Sequence, residues 1–444
     1  MFSFLKPAAD AKEKVPADKV KSTYTKYQIG AFIAILVGYS GYYVVRQVFT
    51  VEQQDIMHVY HFSTSQFGVI LSCFGIGYGI SKLFMGAFSD KSDSNRYLAT
   101  GLIVSSILNF LFGTTRNFFV ICLLMIVMAA AQGMGAAACQ RIIQLWWGKT
   151  RRGFVYAVWN TSKSFGSLIC VSAIQLAAFL FSHSISMVFF TTGIIGIFMG
   201  VIVLIFGNDR PAAVGLPSIS EYTGDEVVLD SGKKTNEELT DLNVVQILVR
   251  YILKDKLVWA VTLTSMFLYL VHYGVISWIP SYLIQFKGFS PTFAKWLVGI
   301  FDLAAIPGII LGGFLSDIFK NRRAAVCAVG VVGVILCLIS YLVSNNHAVL
   351  VVTLILLSNF MVAPINLVGL IINEVVPKFA VRTSTGFMGF FQYIVGETAA
   401  TAMIGFLVEK FGWGMNITVL FVAAGFALLL LLYIMSTEKK LEKA

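Results

Sequence analysis

Twelve times along this chain, about twenty residues pass with almost no charge. At 1.5 Å per residue each such run can cross the roughly 30 Å hydrocarbon core of a bilayer as a helix. The windows lie near 27–50, 66–89, 97–114, 118–140, 153–181 and 186–207, then near 257–285, 293–318, 324–344, 348–373, 383–408 and 414–436. Inside a bilayer only helices and closed barrels satisfy their own backbone groups. Barrel strands alternate over about ten residues, whereas these runs are continuous. The chain therefore reads as an all-α polytopic membrane protein with twelve transmembrane helices. Composition agrees, with 57% hydrophobic and 13% charged residues among 444, against about 25% charged in soluble proteins.

The net charge of +10 does not mark a nucleic-acid binder, because the basic residues gather in short loops between the runs. They cluster at the N-terminus, at Lys91/Arg96, Lys149/Arg151/Arg152, Lys320/Arg322/Arg323 and Lys378/Arg382, and at Lys439/Lys440/Lys443, while the alternate loops hold Arg116, Lys287 and Lys410 singly. The positive-inside rule then expects both termini in the cytoplasm, and an even number of spans requires the two to share a side. The first 26 residues hold six lysines and no apolar core, so a cleavable signal is not expected. Six scattered cysteines lack metal or redox spacing and read as small buried hydrophobes.

A polar stretch, Gly207–Leu242, divides the runs six and six and reads as a flexible linker, followed by "VVQILVRYILKD" as a surface amphipathic helix. The expected layout is a cytoplasmic segment 1–26, a six-helix bundle 27–207, a cytoplasmic loop 208–256, a second bundle 257–436 and a tail 437–444. Internal echoes support two pseudo-symmetric halves. "GAFSDKSDSNR" at Gly86–Arg96 returns as "GFLSDIFKNRR" at Gly313–Arg323, placing Asp90 and Asp317 227 positions apart. "YVVR" at Tyr43–Arg46 returns more weakly as "YLVH" at Tyr269–His272, 226 positions on. Transporters built from repeats place one site between two rocking bundles.

The repeated loop resembles the signature of the major facilitator superfamily. "YYVVRQVF", "YGISKLFMG", "AQGMG", "FVYAVWN", "SWIPSYL" and "IPGIILGGFLSD" are similar to the organophosphate:phosphate antiporters within it. "FLKPA" at Phe4–Ala8 and "GLPSISEY" at Gly215–Tyr222 resemble the glycerol-phosphate branch. The resemblance covers essentially the whole chain and implies the major facilitator fold.

Ionisable residues inside spans are costly, which makes each one a functional candidate. Arg46 lies near the end of the first run, where a guanidinium either snorkels to the surface or grips an anion. Tyr39, Tyr42 and Tyr43 make its helix face polar for two turns inward, which suits a wet anion site. The resemblance implies that Arg46 grips a substrate phosphate. Lys82 follows Tyr78 by one turn, so both share a face; its alternative is a helix C-terminus or a carboxylate. Lys163 is nearly central to the fifth run, with Asn160 and Trp159 a turn below, and needs an anion from another helix. His272 is mid-span between Tyr269 and Tyr273, and reads either as a site residue or as a neutral core histidine. At the positions matching His272 and Lys163 the resemblance implies an arginine and a histidine, so permanent and titratable cations exchange helices here. Asp302 and Glu397 are coupling or charge-partner candidates, and Glu397 resembles an acid of the hexose-phosphate branch. Asp90, Arg96, Asp317, Arg322 and Arg323 belong to loops and read as cytoplasmic gating groups.

No Walker loop, G-x-S-x-G or H-E-x-x-H occurs in the sequence, which argues against an ATP-driven pump or a hydrolase. No metal or other cofactor is expected. The resemblance implies a monomeric carrier in the cell (inner) membrane that takes up glycerol 3-phosphate or a hexose 6-phosphate in exchange for inorganic phosphate. A cavity holding Arg46, Lys82 and Lys163 carries excess positive charge and resists closure until a phosphate of about −1.5 to −2 enters. Two alternatives stand: a membrane sensor of external sugar phosphate, and a proton-coupled symporter using His272, Asp302 and Glu397.

Overall fold

A computed structural model describes residues 3–223, 244–319, 322–377 and 380–441. Among them the secondary structure is helical, with no strand. Among the described residues, eleven helices have the length and apolarity of a membrane span. A twelfth, Thr64–Asp90, fills the second predicted window. The all-α polytopic fold expected from the runs is therefore the one adopted.

The ends of the helices follow from local chemistry. Orphan N–H groups at a helix start need an acceptor. Asp93 takes the amide of Arg96 at the third span, and Asp255 takes those of Leu257 and Val258 at the seventh. Ser290 takes that of Phe293 at the eighth, and Asn346 takes those of Ala348 and Val349 at the tenth. Gly412, at φ 81°, separates the eleventh span from the twelfth with a backbone conformation that a side chain would strain.

Four windows differ from expectation, one of them the fifth, which breaks at Thr161. The first helix runs Val20–Arg46, starting within the lysine-rich segment and stopping before residue 50. A turn at Val48–Val51 and a separate helix, Gln53–Tyr60, follow. The seventh window breaks into Lys256–Ile276 and Ile279–Gln285, because Pro280 has no N–H to continue the ladder yet fits a first turn. The eleventh is α-helical at Val381–Phe390 and Ile404–Phe411, with π-helical turns at Phe391–Glu397 and Ala399–Met403 between.

The stretch read as a flexible linker is in its first part pinned down. Ala11 and Val15 donate backbone hydrogen bonds to Ala212 and Gly215. Arg210 pairs with Asp10 at 3.1 Å, and the Tyr24 hydroxyl donates to the Pro217 carbonyl at 2.7 Å. The remainder, 224–243, lies outside the described residues. Of the predicted amphipathic segment, Val244–Ile247 is α-helical and Leu248–Ile252 π-helical, with Ile252 buried.

Packing sorts the chain into two compact units. The first comprises Met1–Val48, Ser81–Thr115 and Val127–Thr240; the second comprises Phe49–Ile80, Arg116–Ile126 and Asp241–Ala444. In the first unit the sixth span, Ile185–Phe206, lies along the first and third, and the fifth packs on the first. In the second unit the tenth span, His347–Val375, packs on the seventh, eighth and ninth, and the twelfth covers the seventh and ninth.

Candidate functional site

In the first unit the decisive contact is between the first and fifth spans. The fifth span is interrupted at Thr161, between the helices Lys149–Asn160 and Ser162–Leu180. Ser40 donates to the carbonyl of Ser162 at 2.9 Å, and Gln47 donates to the Ser167 hydroxyl at 3.3 Å. Gly166 permits this approach, since a Cβ there would stand 2.3 Å from the Ser40 carbonyl oxygen and 2.7 Å from the Tyr43 Cβ. The register puts Lys163 at the level of Ser40 and Arg46 about 9 Å further along the pair. Both cations are half-buried.

Aromatic rings extend this face. The Arg46 guanidinium lies 5.7 Å from the Tyr43 ring. Tyr43 meets Tyr39 edge-on at 5.5 Å, and Tyr39 meets Trp159 at 4.7 Å. Trp159 in turn meets Tyr156 at 5.1 Å, and Asn160 donates to the Tyr156 carbonyl at 3.2 Å. Lys82 extends from the second span with its side chain exposed, one residue after Ser81, which donates to the Ala130 carbonyl.

In the second unit tyrosines form a chain. Tyr78, buried and stacked on Phe74, meets Tyr393 edge-on at 5.0 Å. Tyr393 meets Tyr269 at 5.3 Å, and Tyr269 meets Tyr273 at 5.8 Å. His272 is half-buried, 5.2 Å from the Tyr273 ring and 6.2 Å from Phe301. Asp302, also half-buried, follows Phe301 in the eighth span. Glu397 is 3% exposed and ends a π-helical turn. Such widened turns recur at functional sites. The adjacent Gly396 lets the eleventh span press on the seventh, where a Cβ would sit 2.6 Å from the Met266 carbonyl oxygen.

The loop residues have local partners. Arg96 pairs with Asp93 at 3.3 Å and donates to the Phe4 carbonyl at 3.2 Å. Arg323 ties the ninth span to its neighbours through Ser316 at 3.0 Å and through Glu374. Arg322, exposed, lines an apolar cavity of about 460 Å³ with Leu311, Leu315 and Val329. The side chains of Asp90 and Asp317 lie outside the described residues. Among those described, no group of His, Cys, Asp and Glu is arranged to hold a metal.

Sequence reasoning missed one ionic cluster. Lys295, in the first turns of the eighth span and 5% exposed, pairs with Glu52 at 2.6 Å and with Asp55. Glu52 is 3% exposed. Its partner lies 243 residues away, so no spacing rule reaches it. The only signal was a lysine at the start of an apolar run with no acid a turn away. Lys287, read as a lone loop cation, donates to the carbonyls of Leu342 and Ser344 at 2.8 Å each. It thereby satisfies acceptors left open at the end of the ninth span.

A comparison with family models matches the Major Facilitator Superfamily over residues 31–400 and 285–444. The chain belongs to the major facilitator superfamily. Within the superfamily it is 33% identical to the glycerol-3-phosphate transporter of Bacillus subtilis (strain 168), over 100% of both chains. It is also 33% identical to the phosphoglycerate transporter protein of Salmonella typhimurium, over 93% of this chain and 90% of the other. At 27% identity and 99% coverage of each it is similar to the membrane sensor protein UhpC of Escherichia coli. Among solved structures, a bacterial homolog of the human lysosomal transporter Spinster, inward-facing and occupied, superposes with a TM-score of 0.69. That match covers 95% of this chain and 96% of the other at 15% identity, and shows the superfamily's fold alone.

Proposed function

We propose that the protein is a secondary carrier that takes up a phosphorylated metabolite, glycerol 3-phosphate or a hexose 6-phosphate, in exchange for inorganic phosphate. The observation that carries this reading is the pairing of the first and fifth spans through Gly166, which sets two half-buried cations, Arg46 and Lys163, on one contact. Arginine's planar fork takes two phosphate oxygens, and a lysine ammonium adds a point charge. Tyr39, Tyr43, Asn160 and the exposed Lys82 supply further donors on the same unit. The other candidates, Tyr78, Tyr269, Tyr273 and His272, with Asp302 and Glu397 as charge partners, belong to the second unit. The similarity to transporters named for glycerol 3-phosphate and phosphoglycerate supports a phosphate monoester as substrate.

In this reading the carrier is a monomer of the inner membrane with two six-helix halves and both termini in the cytoplasm. The halves alternate around the cations, and only the anion-loaded form crosses readily, which makes the process an exchange. Proteoliposomes preloaded with phosphate are expected to take up labelled glycerol 3-phosphate or glucose 6-phosphate. Absence of exchange with either, and with phosphate itself, sinks the proposal. The likeness to a membrane sensor favours a second reading, in which the same cations bind the anion and report it. Saturable binding with negligible flux selects the sensor.

A further inference from the structure

We propose that Glu52, Asp55 and Lys295 form a latch that holds the protein shut on the face opposite its termini, and that a proton on Glu52 tightens it. The inference rests on the carrier reading above. The first span begins near the N-terminus and crosses once, so the helix Gln53–Tyr60 lies at the far face. This helix and the start of the second span pack with the later half of the chain in one unit. Gln53 donates to the Ser277 carbonyl at 2.9 Å and accepts from the Ser281 amide at 3.1 Å. Gln54 reaches Ser281 and accepts from Gln285 at 3.0 Å. Glu409 accepts from the Ser65 amide at 2.7 Å, and Ser72 meets Thr401 at 2.7 Å. A polar seam thus ties residues 52–72 to the seventh, eighth and eleventh spans, and the ionic cluster joins it through the buried Glu52 and Lys295.

Burial explains the proton. Glu52 faces the Lys295 ammonium and, beside it, the Asp55 carboxylate. Asp55 keeps 46% of its side chain in solvent, whereas Glu52 keeps 4%. Desolvation therefore falls on Glu52, the carboxyl that gains most from a proton. Lys295 and Asp55 are the charged groups that act on it. Burial pushes the Glu52 carboxyl up to about 7, against the opposing pull of the Lys295 ammonium. When the seam opens to water, Glu52 returns to the ordinary carboxyl value of about 4.3.

The sign follows by linkage. The shut form binds the proton more tightly, so acid favours it, and the effect fades as pH rises through about 7. Between about pH 7.5 and about pH 5.5 the ratio of shut to open rises by up to about an order of magnitude. The proton enters and leaves from the same compartment, so the latch sets how often this face opens and adds no proton to the transport stoichiometry.

Hydrogen exchange on the full chain in nanodiscs, corrected for intrinsic chemical exchange, reads the latch without requiring flux. In the wild type, protection of the amides of Gln53–Tyr60 is expected to rise several-fold on acidification over that range. Glu52→Gln, which keeps the shape of the protonated carboxyl, is expected to show high protection at both pH values, and Lys295→Met low protection at both. An identical pH response in wild type and Glu52→Gln overturns the proposal, whether or not Lys295→Met folds. Phosphate–phosphate exchange in proteoliposomes provides the second arm. Acid on the latch side is expected to slow the wild type more than Glu52→Gln, and equal slowing counts against the latch. Absence of exchange in both proteins refutes the carrier reading and leaves the hydrogen-exchange result to decide the latch.

Discussion

At the scale of single residues, two buried lysines are distinct from the half-buried arginine of the candidate site. Lys295 and Lys287 are satisfied by acids and carbonyls of the same chain, and their work is structural or conformational. Arg46 stands beside Tyr43 on the face proposed to take an anion. Arg46→Lys keeps the charge and loses the fork, so exchange is expected to fall at least tenfold while membrane insertion and yield stay unchanged. Initial-rate exchange normalised to protein in the vesicle checks this, and retention of more than about half the rate favours a snorkelling role. Removing one member of a buried ion pair leaves the other charge stranded, at about 3–5 kcal/mol. Lys295→Met is therefore expected to lower the thermal unfolding midpoint in detergent, and adding Glu52→Gln is expected to restore part of the loss.

At the scale of elements, what the sequence made legible was what length and apolarity dictate. Spans such as Arg323–Val343 and Ile185–Phe206 need no partner to be recognised, because a bilayer accepts little else. Interruptions were harder. The π-helical turns up to Met403 fall where Gly396 brings the eleventh span against Met266 of the seventh, and single-sequence periodicity is blind to such contacts. Pro280 did announce the break after Ile276, but the apolar run continued through it and hid the signal. The cations of the site were visible as misfits in apolar runs. The contact that brings Arg46 and Lys163 to one helix pair was not, because it depends on a glycine whose role appears only when two helices meet. Gly166→Leu tests that contact. Its side chain would be driven into the Ser40 carbonyl, a backbone atom that cannot swing aside. The first and fifth spans are then expected to separate, with exchange lost and stability lowered by about 1–3 kcal/mol. Gly166→Ala is expected to show a smaller loss of both, and wild-type behaviour of the leucine variant would remove the helix pair from the site.

For the whole molecule, the parity of the spans is a single decision with a global consequence. Eleven helices satisfy length and hydropathy among the described residues, and the second span, Thr64–Asp90, carries Lys82 within it. If that helix crosses, the chain crosses twelve times and its two ends share a compartment. If it lies in the interface, every later loop and the C-terminus change sides. The loop charges favour crossing, since Lys149/Arg151/Arg152 and Lys320/Arg322/Arg323 then fall on the same side as the basic N-terminus, as the positive-inside rule requires. A long lysine side chain is compatible with a span when it reaches a wet or anionic environment, and the exposed Lys82 has that reach. A fluorescent protein fused after Ala444 and one fused before Met1 are both expected to fluoresce in the cytoplasm, whereas alkaline phosphatase at either end is expected to be inactive. Active phosphatase at the C-terminus alone would place Lys82 on the membrane surface and take it out of the anion site.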